Sequence, residues 1–322
     1  MAQFTIYRST DVGAPVLNGL SGSLITVLDA ILVNGYGTQP SASWTKPYSS
    51  SANDYAIYKQ GSNSSGRYLW VQDTESVASG KEAIIRGCEY ISGSVFAISG
   101  SFSNTFPITT TFTNNGLPVR KCFTTHPLSS SAWIAAADSR TLYFFAKTGD
   151  VANTYFSFAF GDIYSYVPVN DPYKCIIIGR NVENSATLAN DGFNFLSIAP
   201  ISGLGSNYIN RCFYGGGLGY NISKHVDAER NWNGTVFGNS LSILPNPTDG
   251  KIYLSPVWIT EYNNILRGHM RGLYNFGHNI TALSDGDTFS GSNDMTGRAF
   301  LVIKSATTTA YIIETSNTLD TN

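Results

Sequence analysis

Thr141-Leu142-Tyr143-Phe144-Phe145-Ala146-Lys147 carries apolar side chains at five successive positions. A half-buried strand would alternate them with polar residues, so a strand apolar on both faces belongs at the centre of a sheet, covered on both sides. Ile176-Ile177-Ile178 reads the same way. Working outward, further strand-like runs occur at Phe4–Tyr7, Tyr55–Lys59, Arg67–Gln72, Ala83–Tyr90, Trp133–Ala137, Tyr155–Phe160, Lys174–Gly179, Lys251–Leu254 and Arg298–Lys304. Clusters of Gly, Ser, Asn and Pro separate them.

Only one segment has helical spacing. Leu24, Ile25, Leu28, Ile31 and Leu32 recur on one face, Ser21 or Ser23 can cap the start, and Gly35 supplies a stop, which predicts a helix over about 21–34. A parallel α/β fold would need a helix after most strands. The expected class is therefore mainly β: an irregular antiparallel β-sandwich or barrel-like fold with one N-terminal helix. No internal repeat points to a propeller or β-helix. The polar, Gly-rich stretch Ser202–Asn207 suggests a division into an N-terminal β region, 1–200, and a C-terminal one, 201–322, although it would also suit an ordinary loop.

The 322 residues suffice for one large domain or two modest ones, and 42% hydrophobic and 13% aromatic content excludes a disordered chain. Charged residues make up only 13%, about half the usual share. Neutral Ser, Thr and Asn must solvate the surface. The net charge of −2 is spread evenly and no basic block could track phosphates, so no nucleic-acid partner is expected. The most apolar segment, Leu24–Val33, is ten residues long and contains Asp29, so it cannot span a bilayer. No secretory signal is read at the N-terminus, which implies work in the cytosol or in a particle assembled there.

Chemistry has few footholds. Cys88, Cys122, Cys175 and Cys212 are too far apart for metal or redox motifs and read as reduced, buried thiols. The four histidines (His126, His225, His269 and His278) form no ligand pattern and read as isolated hydrogen-bonding groups. Asp138, Asp150, Asp162, Asp171, Asp285 and Asp287 sit in turn-like positions, where capping explains them better than a glycosidase pair does. Asp285-Gly286-Asp287 lacks the order of an EF-hand loop. Gly215-Gly216-Gly217-Leu218-Gly219 has no helix opening after it and reads as a turn rather than a phosphate loop. Neither a catalytic residue nor a metal nor a cofactor is expected. The 19 Tyr, 18 Phe and 5 Trp in so charge-poor a chain point first to permanent protein contacts and second to sugar stacking.

Three motifs carry a resemblance. Tyr7-Arg8-Ser9-Thr10-Asp11-Val12-Gly13-Ala14-Pro15-Val16-Leu17 leads into the helix and on to Tyr36 and Trp44. Phe160-Gly161-Asp162-Ile163-Tyr164-Ser165-Tyr166 runs on to Cys175, and Leu266-Arg267-Gly268-His269-Met270-Arg271-Gly272-Leu273-Tyr274 follows later. In this order they resemble a family of virion structural proteins encoded in many tailed bacteriophage genomes. The segment Ser101–Asn115 departs from that pattern. The resemblance implies a particle component and supplies no catalytic residues.

The expectation is thus a non-enzymatic, multi-copy part of a tailed phage virion, assembled in the host cytoplasm. It would sit at an assembly junction, in the neck and collar or the tail and baseplate. Its partners would be other phage structural proteins and copies of itself, with no membrane. Binding would be permanent, in a ring about the particle axis. The interface residues expected from the motifs are Tyr7, Arg8, Asp11, Tyr36, Trp44, Arg267, Arg271 and Tyr274; for the arginines the alternative is ion pairing within the fold. The competing functions are a host-glycan receptor-binding or fibre-type protein and, further off, a glycan-degrading enzyme.

Overall fold

The computed structural model describes residues 3–74, 81–91, 102–106, 116–123, 128–148, 155–167, 170–180, 207–210, 224–226, 251–261, 265–276, 283–304 and 310–316. The chain is mainly β and antiparallel throughout these residues, in three sheets, none of which closes into a barrel among them. The first sheet holds β1 (Thr5–Arg8), β8 (Trp133–Ala137), β9 (Thr141–Ala146), β10 (Phe156–Asp162), β12 (Cys175–Arg180) and β13 (Asn207–Asn210), in that order. The second runs β14 (Lys224–Val226), β15 (Leu254–Glu261), β16 (Ile265–Phe276), β19 (Ala310–Glu314), β18 (Ala299–Lys304) and β17 (Thr288–Ser290), with β11 (Tyr164–Ser165) also paired to β16. The third runs β2 (Thr45–Ser49), β3 (Tyr55–Lys59), β4 (Tyr68–Gln72), β5 (Glu82–Ile91) and β6 (Phe102–Phe106), with β7 (Leu117–Arg120) also on β5.

The first sheet is the middle layer, which is why β9 and β10 are buried along their whole length. Successive residues of β9 point to opposite sides. Phe144 packs with Phe158 and Trp133, and Phe160 on the same face meets Trp44 and Phe106. On the other face Phe145 lies 4.6 Å from the Tyr311 ring of β19, and Tyr143 donates its hydroxyl to the carbonyl of Arg271 on β16 at 2.8 Å. Burying Tyr143 pushes its phenol far above the usual range. One hydrophobic cluster therefore runs from Phe4 to Ile313. The described parts of 1–200 and 201–322 share that core, and β13 continues the sheet begun by β1; of the expected boundary stretch, residues 202–206 lie outside the described residues.

The helical segment lies where expected, as a six-residue α-helix α1 (Ser23–Leu28) continued by a π-turn over Asp29–Asn34, ended by Gly35 at φ 72°. Its capping differs from expectation. The N-cap is Gly22 in the left-handed region, with no side-chain bond from Ser21 or Ser23 to the helix start. Ser21 instead donates to the carbonyl of Asp73, and Ser23 to that of Asn18. The carboxylate of Asp73, 49 residues away, accepts the Leu24 N–H at 2.7 Å. It is itself ion-paired with Lys121, both fully buried. Asp29, the charge in the apolar decapeptide, is taken by Lys46 at 2.6 Å and by the Tyr58 hydroxyl at 2.9 Å.

Most expected strands are found within a residue or two. Strand β15 begins where the expected 251–254 strand ends, and β2, β6, β7, β11, β13, β14, β16, β17 and β19 have no counterpart among the expected runs. Strand β16 is hard to read because its inward positions Arg267 and Arg271 are charged, and both are neutralised by carboxylates from loops distant in sequence, Asp171 and Asp138. Cys88, Cys122 and Cys175 are buried, and burial pushes the Cys88 thiol up to about 12. Cys212, His126, His278, Asp150 and Gly215–Gly219 lie outside the described residues, as does most of Ser101–Asn115.

Candidate interaction surface

Of the eight residues expected at an interface, Tyr7, Trp44, Arg267, Arg271 and Tyr274 are buried inside this chain. Tyr7 donates to the Pro40 carbonyl at 2.8 Å, and burial pushes its phenol up to about 12. Trp44 donates its indole N–H to the Asp138 carbonyl at 2.7 Å. Arg271 pairs with the Asp138 carboxylate at 2.8 Å and donates to Thr141 Oγ1 at 3.1 Å. Arg267 pairs with Asp171 at 3.0 Å. Tyr274 donates to Glu314 Oε2 at 3.1 Å, and Arg298 donates to the Tyr274 hydroxyl at 2.9 Å. The correction has one physical cause: these large side chains face inward and are satisfied by long-range partners that spacing alone does not reveal. For both arginines the alternative of ion pairing within the fold is what the structure shows.

Arg8, Asp11 and Tyr36 remain partly exposed and are brought together. Asp11 Oδ2 accepts the Arg8 backbone N–H at 2.9 Å, the Tyr36 hydroxyl at 3.0 Å and the Gln39 amide at 3.3 Å. Burial and the neighbouring Asp11 raise the Tyr36 phenol well above its usual value. The segment after Asp11 is pinned as well. Trp133 donates its indole N–H to the Pro15 carbonyl at 3.1 Å, and Ser131 N–H reaches the Leu17 carbonyl at 2.8 Å. Gly37, at φ 54°, lets the two loops touch: a Cβ there would lie 2.2 Å from the Val12 carbonyl oxygen.

This tied-down loop presents apolar side chains to solvent. Val12 is 88% exposed, Val16 57% and Leu20 50%, and Leu128, three residues before the Leu17–Ser131 bridge, is 71% exposed. Exposed apolar side chains carried singly are ordinary, but four on two crossing segments form a candidate contact surface. The motif points to this loop, but through Tyr7, Arg8 and Asp11 rather than through the apolar side chains that face solvent. The alternation of exposed Val12 and Val16 with buried Leu17 was not legible without the Ser131 and Trp133 partners.

A second surface lies where β11, β15 and β16 meet. Tyr164 stacks on His269 with ring centroids 5.0 Å apart, and the Tyr166 hydroxyl sits 2.8 Å from His269 Nδ1. Trp258 closes the group at 5.8 Å from the imidazole. Burial lowers His269 to about 4, so at neutral pH the ring is uncharged and Nδ1 can accept the phenolic proton. Tyr166 and Leu266 are exposed beside it.

The candidate carboxylates serve as turn and ion-pair anchors. Asp162 accepts from Ser65 and Gln60, Asp285 from Tyr155 and Lys147, and Asp287 from the Ser284 N–H. Among the described residues no group of three or more His, Cys, Asp or Glu side chains could hold a metal ion. No helix there is long and apolar enough to cross a membrane. No protein-family model matches the sequence, and no curated protein matches it.

Proposed function

We propose that the protein is a structural component of a tailed bacteriophage virion, a multi-copy part at an assembly junction in the neck and collar or the tail and baseplate. The observation that carries this reading is the N-terminal loop: a rigidly hydrogen-bonded segment, within the motif that resembles phage virion proteins, that holds Val12, Val16 and Leu20 out in solvent. Rigid presentation lowers the entropy cost of docking. Covering each of these side chains contributes about 1–2 kcal/mol, about 3–6 kcal/mol for the three, which reaches only the low end of the roughly 4–15 kcal/mol that association costs. Such a patch suits a contact repeated within a larger assembly rather than a free dimer. The experiment is gold-labelled antibody staining of intact particles beside separated heads and tails. Label in a band at the head–tail junction or at the tail tip supports the reading, and absence from every particle overturns it.

The aromatic group at Tyr164, Tyr166, Trp258 and His269 favours a second reading, a host-glycan receptor-binding protein. Uncharged rings with phenol and imidazole polar edges suit the C–H faces and hydroxyls of a sugar. This reading expects label along protruding fibres and binding to host cells that is lost with Tyr166→Ala.

A further inference from the structure

Arg86 belongs to neither surface. Five cationic side chains are buried among the described residues: Arg86, Arg120, Lys121, Arg267 and Arg271. The last four are ion-paired, with Glu82, Asp73, Asp171 and Asp138 respectively. Arg86 is not. It is 0% exposed, and among the described residues its Nε, Nη1 and Nη2 have no hydrogen-bond partner. Buried guanidinium groups are normally both paired and hydrogen-bonded, so one with three idle nitrogens calls for a ligand.

The sequence places it deliberately. Registers across the third sheet align Tyr48, Ile57, Trp70 and Arg86 in one cross-strand row. The guanidinium carbon lies 5.0 Å from the centre of the Trp70 ring. Ile84 and Cys88 flank the row, Tyr48 stands at its end, and Tyr55, Tyr68 and Ile91 pack at its margin. The Trp70 ring can offset part of the buried charge through its face, but it satisfies no N–H. What remains unused is the planar donor fork, whose complement is a carboxylate bound through both oxygens. Desolvation already lowers the arginine to about 10, the direction expected of a cation buried without its counter-ion.

We propose that Arg86 is the receptor for a carboxylate from outside this chain, an acidic side chain of a neighbouring subunit in the assembled particle, admitted when the partly exposed Tyr48, Tyr55 and Tyr68 at the end and margin of the row move aside. This rests on the structural reading above. In the free protein the charge is then a cost, and assembly removes it.

The test uses the full chain and Arg86→Met, which keeps the stem and the Trp70 contact. The isolated variant is expected to melt about 2–6 °C higher than wild type, while its incorporation into particles falls at least tenfold. Sodium acetate, compared with sodium chloride at equal ionic strength, is expected to raise the melting temperature of wild type and leave Arg86→Met unchanged. A variant that melts lower than wild type overturns the proposal, because the guanidinium would then be satisfied within the chain. Normal incorporation of Arg86→Met overturns it too. If the protein is absent from particles but the acetate and melting results hold, the carboxylate receptor stands and only the assembly reading falls. Should the variant fail to fold, the acetate comparison on wild type decides: no shift overturns the proposal.

Discussion

Replacing Arg271 by Met tests whether the buried pair on β16 holds two layers together. Arg271 joins the second sheet to the turn between β8 and β9 in the first, through Asp138 at 2.8 Å and Thr141 Oγ1 at 3.1 Å. Met matches the stem in volume, so little cavity forms. What remains is a buried carboxylate that keeps only the N–H groups of Arg140 and Thr141, at 2.9 and 2.8 Å. Breaking a buried pair by removing one partner costs about 3–5 kcal/mol. The two retained bonds put Arg271→Met at the lower end, about 3–4 kcal/mol. Unfolding entropy scales with length, and 322 residues give about 0.7 kcal/mol per kelvin. The melting temperature should therefore drop about 4–6 °C. Adding Asp138→Asn removes the orphaned charge and should restore about half of that loss. Thermal denaturation of wild type, both single variants and the double variant measures this. A drop under 1 °C for Arg271→Met, or strictly additive losses in the double variant, would refute the reasoning.

Other predictions concern the helix start, the N-terminal loop and the aromatic group. Asp73→Asn leaves Lys121 buried without its counter-ion and should destabilise by about 3–5 kcal/mol, whereas Asp73→Asn with Lys121→Met should cost far less than the sum; urea denaturation of the set checks this. Gly37→Ala forces a left-handed backbone and a clash with the Val12 carbonyl, at about 1–2 kcal/mol or more for the conformation alone; hydrogen exchange should speed up across residues 9–16 while the central sheet stays protected. His269 titrates near 4 when folded, below its ordinary 6.5, so the unfolded chain binds the proton more readily. Its contribution is fully present above pH 6.5 and is lost as pH falls toward 4, by about 3 kcal/mol at most. Melting curves of wild type and His269→Phe over that range should converge, and parallel curves would sink the assignment.

The mainly-β class, the central strands and the helix were legible because burial periodicity is local. Phe144 and Phe145 announce a doubly covered strand whatever surrounds them, and Leu24 to Leu32 announce one apolar helical face. The helix stop at Gly35 was equally readable, since positive φ is a property of one residue. The start was not, because its cap comes from Asp73 rather than from Ser21 or Ser23. The candidate surface divided along the same line. The motif around Asp11 could be read, but which of its residues face outward could not.

By itself the amino-acid order determined the class of fold, the place of the helix and the low-charge, aromatic-rich character of the chain. These depend on the transfer free energy of each residue and on spacings of two or four positions. Tertiary structure alone decided that Arg267 and Arg271 are internal struts, that Val12 and Val16 face solvent, and that Arg86 lies buried with no carboxylate against it among the described residues. A buried charge is tolerable only if another part of the chain, or another molecule, supplies its partner. Asp138 and Arg271 stand 133 residues apart, and no local pattern couples them.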